Sequence, residues 1–324
     1  MNVLLTGSSG WLGRFLAPRL RAHGYQVTGL DVAPGPDTAV LGSVADRACV
    51  DQLFAEHAIG TVIHCAALHK PDIARYPNQA FVDVNVTGTL NLLEAARLAG
   101  HDRFVFTSTT SLLISAQVRL GKGGGASQAY WIDENFGPIQ PRNIYGITKH
   151  SAEHLCRLYA ELHGMDIPLL RTGRFFPEDD DTHRFPSGPN LKANEFLNRR
   201  LAVEDVADAH IAALQNCQGS GCQAFILSAP PPFTRADATA LVQDAPAVIA
   251  HYYPQAAALY RDRGWTLPNH IDRVYDPSKA ERLLGFRAKV DFAAVLQALA
   301  DGTPMPYHHE ASYISPKEST PKPA

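Results

Sequence analysis

The 324-residue sequence lacks any apolar run near the roughly 20 residues that a membrane-spanning helix needs. It also lacks a surplus of one charge, since 29 Lys and Arg against 32 Asp and Glu give a net charge of −3. Neither a nucleic acid nor a membrane is therefore expected as a main partner. Cysteine is scarce: five residues at irregular spacing favour reduced thiols in a cytoplasmic protein over a disulfide framework.

What is present suits a folded enzyme-sized chain. Apolar residues make up 45% of the sequence and charged residues 19%, so the chain can bury a sizeable core. At ~150 residues per domain, the length allows about two domains. The chain opens on the apolar residues 3–5 and reaches Gly7 at once, so we expect a core strand there and no secretory leader.

Short apolar strands alternate with amphipathic helices over the first 171 residues. We predict strands at residues 2–6, 26–30, 61–65, 103–107 and 166–171. We predict helices at residues 11–23, 46–57, 78–99 and 145–163. This alternation indicates parallel βαβ units and hence an α/β fold with a doubly wound parallel (Rossmann) sheet.

The pattern changes after residue 171. Residues 172–200 contain prolines and an acidic run at 178–181, which predicts a long functional loop. A helix and a strand within 203–228 would complete the first domain, while 172–202 and 229–302 would form a smaller, C-terminal substrate-binding lobe. Residues 303–324 contain five prolines and little periodicity, which predicts a disordered tail.

A glycine-rich loop separates the first strand from the first helix. Gly7 would allow a tight turn, Gly10 the approach of the backbone to a pyrophosphate, and Gly13 the packing of the helix on the sheet. Asp31 ends the second strand, 24 residues after Gly7, where a carboxylate binds ribose hydroxyls and repels a 2′-phosphate. The loop predicts NAD rather than NADP, although Arg14 is a nearby cation that could tolerate the phosphate.

A second motif predicts proton transfer. Tyr145 and Lys149 are four residues apart in a predicted helix and share one face. Residues 107–109 supply hydroxyls at the end of a strand, where doubly wound sheets bind ligands. A tyrosine acting as a base must lower its pKa from about 10 to near 7, which costs ~4 kcal/mol. A neighbouring ammonium and a nicotinamide ring could supply that energy.

In these motifs the sequence resembles the extended short-chain dehydrogenases/reductases of the NAD-dependent epimerase/dehydratase type. The matching segments, in family order, are residues 6–13, 31, 62–67, 85–89, 107–110, 145–149, 170–176 and 203–206. The resemblance implies an NAD-dependent epimerase or dehydrogenase. It also implies a homodimer formed through the helices at 78–99 and 145–163.

The resemblance implies roles for individual residues. Tyr145 would be the acid/base, Lys149 would bind the nicotinamide ribose, and Thr109 would bind the reacting oxygen, with Ser108 and Thr110 as alternatives to Thr109. Ser43, where the family usually has Asp, and Val44 would lie beside adenine. The implied cofactor-binding set, beyond the glycines, Asp31, Tyr145 and Lys149, is Trp11, Leu12, Ser43, Val44, Cys65, Ala66, Ala67, Asn85, Thr107 and Thr172.

The motifs determine the type of reaction less closely than they determine the cofactor. Dehydratases of this type place an Asp-Glu pair after the strand-end threonine, but here Thr110 and Ser111 follow, which disfavours dehydration. The leading prediction is an NAD-dependent oxidoreductase or epimerase acting on a hydroxylated, sugar-like small molecule such as a nucleotide sugar. The alternatives are a dehydrogenase/reductase of a small non-nucleotide alcohol or carbonyl, and a non-catalytic NAD(H) sensor.

Basic residues of the second half suggest an anionic substrate. Arg174 and Arg200, with Arg171 and Arg199 close in sequence, could bind a carboxylate or phosphate. The alternative for Arg174 is an ion pair with the acidic run at 178–181. The predicted substrate-binding residues are Thr109, Thr110, His69, Arg174, Asn194 and Arg200.

Two remaining features have competing interpretations. Between Thr109 and Tyr145, residues 121–125 and 130–134 could be a flexible lid and an aromatic wall of the substrate site, or a surface insertion. The histidine pair and glutamate at 308–310 could suggest a metal, but nothing fixes a further ligand, so we expect none.

Overall fold

A seven-stranded parallel sheet forms the centre of the computed structural model, which describes residues 1–121, 126–177 and 187–318. Its strands are β1 (Asn2–Thr6), β2 (Gln26–Asp31), β3 (Val40–Leu41), β4 (Thr61–His64), β5 (Phe104–Thr109), β7 (Ile167–Thr172) and β8 (Cys222–Leu227). Their spatial order is β3-β2-β1-β4-β5-β7-β8. The order reverses between β1 and β4, where sheets of this kind bind ligands beyond the strand ends. The predicted doubly wound α/β fold is confirmed.

Helices cover both faces of the sheet. The helices of the described residues, including those that do not touch the sheet, are α1 (Trp11–Ala22), α2 (Arg47–Glu56), α3 (Asn78–Val82), α4 (Gly88–Leu98), α5 (Ala116–Gly121), α6 (Ile144–His163), α7 (Gly188–Glu195), α8 (Val203–Asn216), α9 (Ala238–Gln243), α10 (Ala245–Tyr252), α11 (Ala256–Asp262), α12 (Ser278–Leu284) and α13 (Phe292–Asp301). One apolar layer joins the sheet to α1, α8 and α12, and the other joins it to α2, α4 and α6. Burial on both faces explains why the central strands are almost wholly apolar.

Two predicted elements differ in detail. The helix predicted at 78–99 is α3 and α4 joined by a π-helical turn, Asp83–Thr87, which holds Asn85 in the interior. Within the predicted loop at 172–200, the structure has α7, whose first turn contains Pro189. Proline at the start of a helix is favourable, because the first N–H groups have no helical partner. The acidic run at 178–181 lies outside the described residues.

The segment before α6 is tied to the second half of the chain. Strand β6 (Tyr130–Ile132) pairs in parallel with β9 (Arg273–Tyr275), and the Trp131 indole N–H donates to Asp276 at 3.0 Å. The aromatic residues of 130–134 therefore belong to a two-stranded sheet. Residues 122–125, the centre of the predicted lid, lie outside the described residues.

A second apolar cluster lies in the C-terminal half, formed by α7, α9–α11, α13 and residues next to β6 and β9. Residues 303–318, called the C-terminal segment below, join it: the ring of Tyr307 lies 4.9 Å from that of Phe196. Further on, Tyr313 packs against Trp11 at 5.1 Å. This part of the predicted disordered tail thus contacts both halves of the molecule.

No helix in the described ranges combines the length and the apolar character that crossing a bilayer requires. All five cysteines, each within those ranges, are free thiols.

Candidate active site

The glycine-rich loop runs from β1 into α1 with little free space around it. Gly7 has a φ of 74°, in the left-handed region that favours glycine. A Cβ on Gly13 would lie 2.3 Å from the Gly7 carbonyl oxygen, so any side chain there would force the helix away from the loop. The N-cap of α1 is Gly10, and no side chain in the described part of the chain accepts its first N–H groups. These donors are available to an anion.

Asp31 ends β2 beside this loop. Its Oδ2 accepts a hydrogen bond from the Ser9 amide at 3.1 Å, and its Oδ1 accepts one from the Ala33 amide at 3.0 Å. The carboxylate is half-buried and keeps lone pairs for further donors. Arg14 interacts with the C-terminal segment instead, through an ion pair with Glu310 at 3.7 Å and stacking on Tyr313.

Helix α6 presents Tyr145 and Lys149 to the end of β5. Asn143 caps the helix, because its Oδ1 accepts a hydrogen bond from the Gly146 amide. Burial raises the pKa of Tyr145 to about 12, while a hydrogen bond with the Thr109 hydroxyl opposes that rise. Burial lowers the pKa of Lys149 to about 8, and its ammonium lies 4.0 Å from the ring centroid of Phe106. The structure thus brings the three predicted catalytic residues together.

Asn85 stabilises the arrangement of Tyr145 and Lys149 through hydrogen bonds to the residues around them. Its amide group exchanges hydrogen bonds with the backbone of Leu68 in both directions at 2.9 Å and donates to the Thr148 hydroxyl at 3.0 Å. It therefore fixes the loop after β4 to α6. This is a positioning role, and the Asn85 side chain is fully engaged in it.

The hydroxyls at the end of β5 differ in availability. Thr109 Oγ1 accepts from the Ser111 amide and can still donate. Thr110 donates to the Thr172 carbonyl oxygen at 3.1 Å, and Thr172 donates to the Ser108 carbonyl oxygen at 3.2 Å, so both are engaged with backbone. Ser108 donates to Glu153 at 2.7 Å. Of these hydroxyls, that of Thr109 is the one that lowers the pKa of the Tyr145 phenol.

Thr107 and Cys65 face a residue that the sequence did not indicate. His210, buried in α8, donates from Nδ1 to the Val206 carbonyl oxygen, so its Nε2 accepts from the Thr107 hydroxyl at 2.8 Å. The Thr107 oxygen also lies 3.2 Å from Cys65 Sγ. Burial lowers the pKa of His210 to about 4, so the imidazole is neutral.

The remaining predicted cofactor residues line the same edge of the sheet. Trp11 and Leu12 are buried at the start of α1, and Ala66 and Ala67 follow β4. The amides of Cys65 and Ala66 donate to the Thr6 hydroxyl at 3.2 and 3.1 Å. Ser43 accepts from the Ala45 amide, and Val44 is buried beneath it.

The predicted anion-binding arginines separate into two groups. Arg171 is buried in a two-point ion pair with Glu153, at 2.9 and 2.7 Å, and so does not belong to the cluster in which the sequence placed it. Arg174, Arg199 and Arg200 instead surround the buried Glu195 at 3.1, 2.9 and 2.8 Å. The group carries three positive charges and one negative charge. Of its guanidinium groups, that of Arg174 is the most exposed, at 36%.

Glu195 is the counter-ion that the sequence analysis missed. Burial by itself would raise the pKa of its carboxyl, but the three arginines outweigh burial and lower the pKa to about 2. The spacing of Glu195 and Arg199, at i and i+4, could have indicated the pair. Next to it, Asn194 donates to the Thr266 carbonyl oxygen at 2.9 Å, and its buried Oδ1 has no partner within the described ranges.

His69 precedes the 3-10 turn Lys70–Ala74, which follows β4. Its ring packs against Phe176 at a centroid distance of 4.9 Å, and burial lowers the pKa of its imidazole to about 3. The backbone N–H of His69 donates to Asp72, a buried residue that also pairs with Lys317 of the C-terminal segment. Asp72 and Lys317 lie 245 residues apart in the sequence, and no sequence pattern indicated their pairing.

The residues present fit a dinucleotide. The loop leaves no room for side chains at Gly7 and Gly13, so the backbone itself forms the cradle. Free helix N–H groups suit a pyrophosphate, the Asp31 carboxylate suits ribose hydroxyls, and the buried ammonium of Lys149 supplies a cation near Tyr145. These donors and acceptors match the charges along NAD.

Comparison with known proteins agrees with this geometry. The family model described as NAD dependent epimerase/dehydratase family matches residues 3–225. A UDP-glucose 4-epimerase of Rhizobium meliloti (strain 1021) is 29% identical over 251 residues, covering 66% of this chain and 72% of that protein. An L-arabinose 1-dehydrogenase (NAD(P)(+)) of Haloferax volcanii is 31% identical over 185 residues, covering 55% of this chain and 69% of that protein.

A solved structure shows the same fold. The crystal structure of the UDP-glucose 4-epimerase of Thermotoga maritima with UDP-glucose has a TM-score of 0.65 and 21% sequence identity, covering 93% of this chain and 98% of that one. The family resemblance inferred from the motifs is confirmed, and with it the expectation of an NAD-dependent enzyme. The chain belongs to the NAD dependent epimerase/dehydratase family and is an NAD-dependent enzyme of the extended short-chain dehydrogenase/reductase type.

Proposed function

We propose that the protein catalyses hydride transfer at a secondary alcohol carbon of a sugar-like substrate that carries an anionic group. The observation that carries this proposal is that Tyr145, at the start of α6, is close enough to Thr109 at the end of β5 for the threonine hydroxyl to lower the pKa of the phenol, with the buried Lys149 one helical turn further on. The buried ammonium of Lys149 costs folding free energy, which supports a chemical role for the pair.

Tyr145 would move the proton. In the oxidative direction the substrate O–H proton passes to the Tyr145 oxygen, while the hydrogen on the same carbon leaves as hydride and a carbonyl forms. Bound NAD supplies the hydride acceptor and a positively charged ring. Thr109 holds the substrate oxygen by a hydrogen bond during this step.

The electrostatics of the site define how much activation Tyr145 needs. Lowering its pKa from about 12 to near 7 requires roughly 7 kcal/mol, at 1.36 kcal/mol per unit. Lys149, with a pKa of about 8, is mostly charged at neutral pH and favours the phenolate. The rest of the stabilisation must come from the occupied site, which couples proton transfer to the presence of cofactor.

The arginine group supports an anionic substrate. Three arginines converge on Glu195, and because the guanidinium of Arg174 is the most exposed of them, it is where a phosphate or carboxylate would bind. A nucleotide sugar has such a group, as does a sugar acid. Dehydration is disfavoured, because Thr110 and Ser111 stand where the second acid and base of a dehydratase would be needed and Thr110 is engaged with backbone.

We also propose that the enzyme is a homodimer. Apolar side chains are exposed on α4 and α6, which pack side by side, namely Leu98, Ile147, Leu158 and Leu162. Leucines exposed together on adjacent helices support an interface. Sedimentation of the protein at micromolar concentration tests it.

Two organisational proposals complete this account. Residues 1–171 with 203–228 would form the cofactor domain, and 172–202 with 229–302 the substrate lobe, which the separate apolar cluster around α7, α9–α11 and α13 supports. The five free cysteines support a cytoplasmic location, where thiols stay reduced.

A substrate panel with the variant Tyr145→Phe tests the proposed reaction. NADH formation and epimer formation are measured in parallel on UDP-glucose, UDP-galactose, L-arabinose and D-glucuronate. We expect Tyr145→Phe to lower kcat by about 10³-fold, while NAD affinity and the melting temperature stay unchanged. Tyr159→Phe is the matched control, since it removes a phenol of the same helix whose hydroxyl donates to Glu94 at 3.2 Å.

The panel also separates the alternatives. Epimer formation without net NADH favours an epimerase, and net NADH favours a dehydrogenase. Turnover that survives in Tyr145→Phe removes that residue from the mechanism. Binding of NAD(H) with no turnover of any compound favours a sensor.

A further inference from the structure

Asp72 is a buried carboxylate that the proposed mechanism does not use. It lies in the 3-10 turn Lys70–Ala74, which packs against α6, and it is 0% exposed. Its Oδ2 accepts hydrogen bonds from the His69 amide at 2.7 Å and from Lys317 Nζ at 2.6 Å. Its Oδ1 has no hydrogen-bond partner within residues 1–121, 126–177 and 187–318. An unpaired, buried carboxylate oxygen is costly, so a ligand that donates to it binds more tightly.

The turn that carries this unpaired oxygen packs against α6, the helix that carries Tyr145. The negative charge of Asp72 acts on the Tyr145 phenol, in the direction that disfavours the phenolate. His69 Nδ1 lies 3.7 Å from Asp72 Oδ2 and is likewise buried without a hydrogen-bond partner in the described part of the chain. Two polar atoms without partners in the described part of the chain therefore lie at the turn that packs against α6, and the ring of His69 contacts that of Phe176.

The C-terminal segment delivers the cation that balances Asp72. After Tyr313 packs against Trp11, the segment continues to Lys317, whose Nζ also lies 3.4 Å from the Ala67 carbonyl oxygen. The next residue, Glu318, pairs with Arg75. The segment thus crosses the cofactor edge of the sheet from α1 to the 3-10 turn and ends in two ion pairs, of which only the first reaches Asp72.

We propose that Asp72, His69 and Lys317 form a subsite that binds a second hydroxyl of the substrate, close to the hydroxyl that Tyr145 deprotonates. Asp72 Oδ1 accepts the hydrogen bond, and the ion pair with Lys317 holds the carboxylate in place. The preferred substrate is then a polyol or sugar with neighbouring hydroxyls, and simple alcohols are rejected. The inference rests on the proposed function for the substrate class, and it assigns specificity to two residues outside the family motifs.

Binding measurements test the subsite without relying on turnover. In a Tyr145→Phe background saturated with NAD, the Kd values of UDP-glucose and of L-arabinose are measured by calorimetry. Asp72→Asn keeps an acceptor for the His69 amide but replaces the other oxygen by an amide donor, so we expect the Kd of the compound that binds to rise at least about tenfold. Lys317→Gln should raise it about threefold to tenfold.

Glu318→Gln is the matched control, because it removes the neighbouring ion pair of the same segment and leaves Asp72 untouched. It should change Kd less than about twofold, at an unchanged melting temperature. Among the monodeoxy derivatives of the bound compound, one should bind as weakly as the parent binds Asp72→Asn, and Asp72→Asn should weaken that derivative no further.

The outcomes separate this inference from the proposed function. Turnover of the parent enzyme together with an unchanged Kd in both Asp72→Asn and Lys317→Gln overturns the subsite and leaves the function standing. Weakened binding in both variants without any turnover supports the subsite and counts against the function. Tighter binding in Lys317→Gln overturns the inference, since the segment would then block the site. An equal loss in Lys317→Gln and Glu318→Gln overturns it too, since Lys317 would act only as a tether. If Asp72→Asn does not fold, Lys317→Gln decides, and binding of neither compound overturns both proposals.

Discussion

Two regions of the molecule satisfy their polar groups in different ways: the cofactor-binding end of the parallel sheet, called the cofactor side, and the arginine group around Glu195, called the substrate side. On the cofactor side, side chains such as Asn85 are bound by neutral hydrogen bonds, and the buried Glu153 carboxylate is held at two points by Arg171, with Arg157 at 3.5 Å. On the substrate side, Arg174, Arg199 and Arg200 all pair with the carboxylate of Glu195. A neutral network fixes geometry whether or not a ligand is present, whereas a cluster of arginines attracts an anionic ligand. The comparison suggests that rigidity comes from one side and selectivity from the other.

Gly13→Ala should have the largest effect, because it disrupts the glycine-rich loop on the cofactor side. A Cβ there would lie 2.3 Å from the Gly7 carbonyl oxygen and 2.6 Å from that of Ser8, both backbone atoms that cannot yield without moving the loop. We expect NAD affinity to fall more than about a hundredfold and stability to fall by about 3 kcal/mol. Calorimetry and urea unfolding measure the two. Gly60→Ala is the control, since its nearest neighbour is the flexible Met1 side chain; equal losses in both variants would contradict the prediction.

Arg171→Met should show that this arginine stabilises the fold and does not bind substrate. It would leave the Glu153 carboxylate buried without its two-point partner, and we expect a loss of roughly 3–5 kcal/mol in urea unfolding. The double variant with Glu153→Leu should recover much of that loss. A selective loss of substrate affinity at unchanged stability would return Arg171 to the anion-binding group.

Acid should weaken the cofactor side through His210. Its pKa is about 4 in the folded protein and about 6.5 when unfolded, so below pH 6.5 the unfolded chain takes up a proton that the folded chain refuses. The stability is fully present above pH 6.5 and falls by about 3 kcal/mol as pH approaches 4. Urea unfolding at several pH values measures this loss. His210→Gln should flatten the dependence, and a parallel slope in that variant would refute the assignment.

Arg174→Gln should have the smallest effect, and it should weaken substrate binding without changing NAD binding. Because the guanidinium is 36% exposed, we expect stability to change by less than about 1 kcal/mol. The Kd of UDP-glucose should rise about tenfold, with NAD affinity unchanged. Arg235→Gln, an exposed arginine paired with Asp133, is the control. A loss of several kcal/mol in Arg174→Gln would place this residue with Arg171 instead.

The same division explains what the sequence could predict. The sheet, the glycine-rich loop and the pair of Tyr145 and Lys149 could be predicted because each depends on the spacing of residues that are close in sequence. The partners on the substrate side depend on contacts through space. Arg171 looked like a neighbour of Arg174 but lies in β7 and pairs with α6, while Asp72 meets Lys317 from the far end of the chain. No local pattern encodes which of several nearby charges will pair.

The pairing of β6 with β9 also has a consequence for the order of assembly. Tyr130 pairs with Arg273, a residue that is synthesised after β8, the last strand of the parallel sheet. Until then β6 has no partner strand, although the sheet and its glycine-rich loop already have all their parts. The strands of the parallel sheet can therefore pair with one another before β6 finds its partner, so the small sheet of β6 and β9 is completed later than the large one.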